Sequence, residues 1–130
     1  MPSRRRLLAA AVSLLIYAVI FYLSSLPPSS LPSGIPDVLP HAGEYALLAF
    51  FLVQAFPAPR RLPSLLAAFL LALLLGLLDE AHQLSTPGRV FSWLDLLYDA
   101  IGALIGLAAF AWFSPRRKDG YRHEVKSVDG

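Results

Sequence analysis

Residues Leu65 to Arg89 read LLAAFLLALLLGLLDEAHQLSTPGR, and this stretch decides the fold. Its first fourteen residues, 65–78, carry no charge and are as apolar as a membrane span. Asp79, Glu80, His82 and Gln83 follow within about one and a half turns of helix. The apolar run reaches the full thickness of a bilayer only with this polar turn included. The stretch therefore predicts a helix that crosses a membrane and ends in a cluster of ionisable side chains.

The composition supports a membrane environment for the whole chain. With 130 residues the chain is expected to form one domain. Hydrophobic residues make up 56% and charged residues 15%, well below the quarter that is usual in soluble domains. Such an excess of apolar side chains cannot be hidden in a small core. The absence of cysteine excludes disulfides and thiolate metal sites.

Four apolar runs predict four transmembrane helices. They cover about residues 7–26, 41–56, 64–84 and 92–113. Proline-rich loops, PPSSLPSGIP and PAPRRLP, separate the first three helices. We predict an all-α integral membrane four-helix bundle over residues 1–113, followed by a polar, disordered tail over residues 114–130. The first run also resembles a secretory signal, but it is longer than the usual apolar region and lacks a small-x-small cleavage site.

The basic residues predict the orientation of the bundle. Ten of the eleven lie on one side of the four spans: Arg4, Arg5, Arg6, Arg60, Arg61, Arg116, Arg117, Lys118, Arg122 and Lys126. By the positive-inside rule both termini are expected in the cytoplasm, in a multi-pass protein of the cytoplasmic membrane. Trp93 and Trp112 bracket the fourth span as interfacial anchors do.

Polar residues converge on the opposite side. Six of the nine acidic residues fall there or in the adjoining half of the spans. Helical spacing places His41, Glu44 and Tyr45 on one face, and it puts Asp95 and Asp99 on the stripe of the Gly102–Gly106 G-x-x-x-G motif. We therefore predict an outward-facing acidic pocket. Its expected binding residues are Asp37, His41, Glu44, Tyr45, Asp79, Glu80, Gln83, Arg89, Asp95 and Asp99.

Each polar feature also has a simpler interpretation. Asp79 and Glu80 could cap a helix end at the water boundary, although negative charge at a helix C-terminus is unfavourable. Asp95 is favoured at a helix N-terminus whether or not it has a role. A helix presents His41 and Glu44 as a potential metal-binding pair, but no second pair matches it, so no metal and no other cofactor is predicted.

The charge balance leaves two further alternatives open. Either some carboxyl groups in the pocket are protonated, or a cation such as a metal or a substrate amine completes the site. Arg89, the one basic residue on this side, is expected either to pair with a carboxylate or to bind a phosphate head group.

The segments DVLPHAGEY and LLDEAHQLSTPGRVFSWLDLLYDAIGALIG resemble the VanZ-like membrane proteins. The matching positions are Asp37, His41, Tyr45, Asp79, Glu80, Gln83, Pro87, Gly88, Arg89, Asp95, Gly102 and Gly106. Val38 stands where the family often has Lys, and Asp99 stands where it often has Asn. The namesake of the family lowers susceptibility to the glycopeptide teicoplanin, so the resemblance implies a role at the cell envelope.

Three functions compete on this basis. The first is a protein that binds or shields an envelope lipid or a lipid-linked wall precursor and so lowers glycopeptide susceptibility. The second is a hydrolase or transferase with Asp79 or Glu80 as general base, His41 as its partner and Arg89 on a phosphate. A transporter is disfavoured because the inner halves of the spans carry no charge. Membrane lipids, and not nucleic acid, are the expected partners, and catalysis, substrate and oligomeric state stay open.

Overall fold

A computed structural model describes residues 1–115 and confirms the all-α fold. Within this part of the chain there are four long helices and no strand: α1 (Arg4–Ser24), α2 (Val38–Ala55), α3 (Leu62–Gln83) and α4 (Trp93–Phe113). Each helix is long and apolar enough to cross a membrane, so the protein is a multi-pass membrane protein. A short 3₁₀ turn, Pro28–Ser30, lies in the loop between α1 and α2. Most of the predicted polar tail, residues 116–130, lies outside the described residues.

The helices begin where local sequence signals permit. Ser3 caps α1, and its side chain accepts a hydrogen bond from the backbone N–H of Arg6. Pro63 occupies the first turn of α3, where a missing N–H costs nothing. Ser92 caps α4 by accepting from the backbone N–H of Asp95. α1 begins three residues before the predicted span because the apolar criterion does not count its three arginines, and α2 begins three residues earlier because Val38, Leu39 and Pro40 also belong to the helix.

α2 is the central helix and contacts the other three. It packs most extensively on α4, whereas α1 and α3 share the smallest of the helix–helix interfaces. The close approach of α2 and α4 requires glycine. A Cβ atom on Gly102 would overlap the carbonyl oxygen of Ala42, and one on Gly106 would overlap that of Ala46. The G-x-x-x-G motif therefore brings two backbones into contact, as expected from its sequence.

The core is built of small and aliphatic side chains. Leu48, Val53, Ala72 and Ala103 are fully buried, and Phe110 closes the core towards the end of α4. Many large apolar side chains point outward instead, most of them leucines. Such an apolar outer surface suits contact with lipid, because water-soluble monomers rarely expose large contiguous apolar patches.

The charged residues divide between the two ends of the bundle. The basic end, where α1 and α3 begin, carries Arg4, Arg5, Arg6, Arg60 and Arg61. The polar end, where α2 and α4 begin, carries the acidic residues of the predicted pocket. At the basic end Arg6 donates to the carbonyl of Ala55 at 2.9 Å, and Arg60 donates to those of Ala111 and Ser114 at 2.9 and 2.7 Å. These arginines thus satisfy the last carbonyls of α2 and α4.

Candidate functional site

A cavity of about 750 Å³ opens at the polar end and is called here the polar pocket. Its wall combines apolar side chains of α1, α4 and the α1–α2 loop with ionisable groups of α2, α3 and α4. Seven of the ten predicted binding residues line it: Asp37, His41, Glu44, Asp79, Gln83, Arg89 and Asp95. The other three, Tyr45, Glu80 and Asp99, are buried behind the wall.

His41 links α2 to α4 at the floor of the pocket. Its ring nitrogen Nδ1 lies 2.8 Å from Oδ1 of Asp99, within hydrogen-bonding distance. Its other nitrogen, Nε2, lies 3.7 Å from Oδ2 of Asp95. Asp95 and Asp99 are one helical turn apart, so a single imidazole spans both carboxylates. The His41 ring is consequently fixed in orientation, with one edge buried and the other facing the pocket.

Glu80 ties α3 to the beginning of α4. Its side chain is fully buried, and Oε2 accepts a hydrogen bond of 3.0 Å from the backbone N–H of Ser92. Ser92 is also the N-cap of α4. Sequence reasoning missed the role of this serine, although Ser-Trp-Leu-Asp over residues 92–95 has the S-x-x-D spacing of a helix N-cap.

Asp79 connects α3 to the end of α1. Its Oδ1 accepts a hydrogen bond of 2.5 Å from the hydroxyl of Ser24, and both side chains are buried. The amide of Gln83 lies 3.4 Å from both Asp79 and Glu80 and faces the two carboxylates. Ser24 was also missed, because a serine near the end of an apolar run carries no sequence signal for a partner 55 residues away.

Arg89 does not form the expected pair with a carboxylate in the described structure. Its Nε and one terminal nitrogen each donate to the carbonyl of Leu26 at 3.2 Å. The turn that positions it contains Gly88, whose φ of 81° lies in the left-handed region that favours glycine. The guanidinium lines the pocket, so the alternative of phosphate contact remains compatible with the geometry.

The remaining predicted residues occupy different environments. Asp37 is exposed at the pocket rim, and its side chain does not cap α2. Glu44 lines the pocket and is half-buried. Tyr45 lies in the core, and a Cβ atom on Gly76 would come within 3.3 Å of its ring. His82 is half-buried: it stacks on Phe21 and lies 2.9 Å from the Ser25 hydroxyl.

Two polar atoms near this cluster have no hydrogen-bond partner within residues 1–115. They are Oδ2 of Asp99 and the hydroxyl of Tyr45, and both side chains are almost fully buried. Leaving a buried polar atom unpaired costs about 1–3 kcal/mol. Such exceptions are informative, because most buried polar groups in proteins are satisfied. Hydrogen bonding among the described residues therefore leaves these two atoms behind the pocket wall unsatisfied.

A second cavity, of about 480 Å³, lies nearer the basic end between α1, α2 and α3. Its lining is almost entirely apolar and includes Leu14, Leu52 and Leu75. Tyr17 borders it and donates to the backbone carbonyl of Leu75 at 3.1 Å. Both cavities adjoin α1, the helix that shares the smallest interface with α3.

Comparison with known proteins identifies one family. The family model described as VanZ/LLP1 matches residues 38–114, which is 77 of 130 residues and takes in α2, α3 and α4. No curated protein and no solved structure matches the chain.

Proposed function

The chain belongs to the VanZ/LLP1 family, as its sequence resemblance indicated, and on this premise we propose that its polar pocket binds the head group of a cell-envelope lipid or lipid-linked wall precursor. The polar end then faces outward and the basic end faces the cytoplasm, in the cytoplasmic membrane, as the arginine distribution predicts.

The observation that carries this proposal is the mixed wall of the polar pocket. Apolar side chains such as Ile20, Leu23 and Leu94 share it with Asp37, Glu44 and other ionisable groups. Ligand pockets typically combine an apolar lining with a few convergent polar groups. At the end of a membrane bundle this combination suits a lipid, whose head group is polar and whose chains are apolar.

The charges of the pocket favour a head group that carries both an amine and a phosphate. Four carboxylates line the pocket, from Asp37, Glu44, Asp79 and Asp95, against the single guanidinium of Arg89. An amine would offset the acidic side, while Arg89 would contact the phosphate. Glu44 is the best placed to hold the amine, because it makes no side-chain hydrogen bond among the described residues and, unlike the exposed Asp37, is half-buried.

The apolar cavity between α1, α2 and α3 supports the same proposal. It lies at membrane depth, beside a helix that packs loosely against α3, and its volume of about 480 Å³ suits part of an acyl chain. A wall precursor bound in the polar pocket would be less accessible to a lipid-anchored glycopeptide. Lowered teicoplanin susceptibility is therefore the expected cellular consequence.

The test is to identify the lipids that accompany the purified protein. The intact chain and the Glu44→Gln variant would be extracted in mild detergent, and bound lipids would be quantified by mass spectrometry against the bulk membrane. We expect an amine-bearing phospholipid or wall precursor to be enriched with the intact chain and depleted in the variant. Teicoplanin susceptibility of the same cells would be measured in parallel.

The control is Arg61→Gln, which also removes one charge, of the opposite sign, from an exposed residue at the basic end. It should retain the enriched lipid. A bound-lipid composition equal to that of the membrane would contradict the proposal, as would equal depletion in both variants.

A second function, a hydrolase or transferase at the outer leaflet, is favoured by one observation. A histidine held by a buried carboxylate at 2.8 Å, with its second nitrogen facing a pocket, has the arrangement of a general base and its orienting group. This assigns the acid–base role to His41, since Glu80 holds the Ser92 N–H and Asp79 holds the Ser24 hydroxyl. A lipid whose mass changes in cells with the intact chain, and not with His41→Asn, would indicate catalysis.

A further inference from the structure

Three potential metal ligands from three different helices meet beneath the polar pocket. One nitrogen of His41, one carboxylate oxygen of Glu80 and one of Asp95 all lie within 4.8 Å of one another. This set, called here the triad, differs from the His41–Glu44 pair that the sequence offered. His41 and Asp95 line the pocket, and Glu80 lies fully buried behind them.

Nδ1 of His41, the ring nitrogen that faces away from the triad, is held in the way that metal-binding histidines are held. It faces Oδ1 of Asp99 at 2.8 Å. A ligating histidine almost always donates its other ring N–H to a carboxylate or carbonyl, which fixes the tautomer and the ring plane. With the proton on Nδ1, the lone pair of Nε2 points towards Asp95, where Oδ2 lies at 3.7 Å.

The charge balance around the triad independently favours a cation. The Asp99 side chain is 1% exposed; its Oδ1 faces the triad histidine, while its Oδ2 faces Gly76 of α3. Three carboxylates, from Glu80, Asp95 and Asp99, surround one imidazole at low solvent exposure. Buried charges of one sign are retained where they pair with a cation or coordinate a metal.

We propose that His41, Glu80 and Asp95 bind a divalent metal ion, with zinc as the favoured occupant, and that Asp99 positions His41 for it. Zinc holds nitrogen and oxygen ligands at about 2.0–2.2 Å, so two ligands of one ion lie at most about 4.4 Å apart. The His41–Asp95 distance already satisfies this limit. All three ligand atoms lie within 4.8 Å of one another, close to this limit.

The ligand set selects the class of ion. An imidazole favours zinc and other transition metals over magnesium and calcium, which prefer oxygen ligands alone. Three protein ligands leave a coordination position open, and the exposure of His41 and Asp95 places that position on the pocket side. A bound ion would occupy Nε2 of His41, so this nitrogen could not also serve as a general base.

The test is a metal titration of the full chain in detergent. The purified protein would be stripped with a chelator and titrated with zinc sulfate by calorimetry, and its metal content as purified would be measured by mass spectrometry. We expect one zinc ion per chain. His41→Asn and Glu80→Gln should abolish saturable binding, and Asp99→Asn should weaken it by about 10- to 100-fold, as loss of an orienting partner does.

Two matched variants control for nonspecific charge effects. His82→Asn removes the other histidine of the polar end, and Glu44→Gln removes a pocket carboxylate outside the triad. Both should bind zinc as the intact chain does. Equal losses in these controls would overturn the assignment to the triad, because they would show that only the overall charge of the pocket attracts the ion.

X-ray absorption at the zinc edge of the intact chain provides a measurement that does not depend on the folding of variants. We expect one histidine nitrogen and several oxygen ligands near 2.0–2.2 Å. A spectrum without a histidine ligand, or a folded chain that binds no zinc, would reject the site. These experiments measure zinc and not bound lipid, and Glu44→Gln is expected to alter only the bound lipid, so the metal site and the proposed lipid binding succeed or fail separately.

Discussion

Nδ1 of His41 lies 2.8 Å from Oδ1 of Asp99, and this contact joins α2 to α4 across 58 positions of sequence. Asp99 is the buried partner in this contact, with a side chain that is 1% exposed, whereas His41 also lines the polar pocket. The same carboxylate thus contributes to helix packing and sets the orientation of a pocket side chain.

This dual role predicts different effects for two substitutions of Asp99. An asparagine oxygen can still accept a hydrogen bond from His41. The Asp99→Asn variant should therefore accumulate in the membrane and unfold at a temperature close to that of the intact chain. Asp99→Ala leaves the ring N–H buried without a partner, which costs about 1–3 kcal/mol. Thermal unfolding in detergent would compare the two. An equal loss of stability in both variants would show that the negative charge itself, and not the hydrogen bond, is required.

The contact of α2 with α4 predicts that glycine is essential at two positions. Gly102→Ala and Gly106→Ala would each place a methyl group on the backbone of α2 and should lower the free energy of unfolding by about 1–3 kcal/mol. Gly43→Ala is the matched control, because a Cβ atom there meets no other atom within 4 Å. It should be neutral or stabilising by about 0.5–1 kcal/mol. Comparable destabilisation at Gly43 would remove the close-packing explanation.

The hydrogen bond between Ser24 and Asp79 predicts that a serine of α1 stabilises the polar end. Ser24→Ala should cost about 1.5–3 kcal/mol if Asp79 is ionised, because it removes the donor to a buried carboxylate. Ser13→Ala is its control: that hydroxyl is also buried, but it bonds only to the Ala9 carbonyl of its own helix. Denaturant or thermal unfolding of both variants measures the difference. A Ser24→Ala chain as stable as Ser13→Ala would refute the structural role.

The arginine distribution predicts that the polar end lies outside the cytoplasm. The chain has no cysteine, so single cysteines can report the side of the membrane. A membrane-impermeant maleimide should label Ser33→Cys, in the loop at the polar end, on intact cells. It should label Pro2→Cys, at the basic end, only after the cells are permeabilised. Both positions are exposed. The reverse pattern would invert the bundle and place the polar pocket inside.

The sequence by itself determined the four membrane helices, because their apolar runs match the bilayer thickness and no soluble core can hold so many leucines. It also determined which residues lie at each end, and the spacing of Gly102 and Gly106 indicated where a neighbouring helix approaches. These features follow from composition and helical periodicity, which are local properties of the chain.

Only the tertiary structure decided which polar groups meet. That Asp99 holds His41, that Ser24 donates to Asp79 and that Arg89 binds a carbonyl of the α1–α2 loop depend on the rotation and depth of each helix in the bundle. The packing of all four helices sets these quantities, with the backbone contact of α2 and α4 and the glycine turn before Arg89 as two of its parts. The assembly of His41, Glu80 and Asp95 into one triad has the same origin, because the three residues belong to three helices and no local pattern relates them.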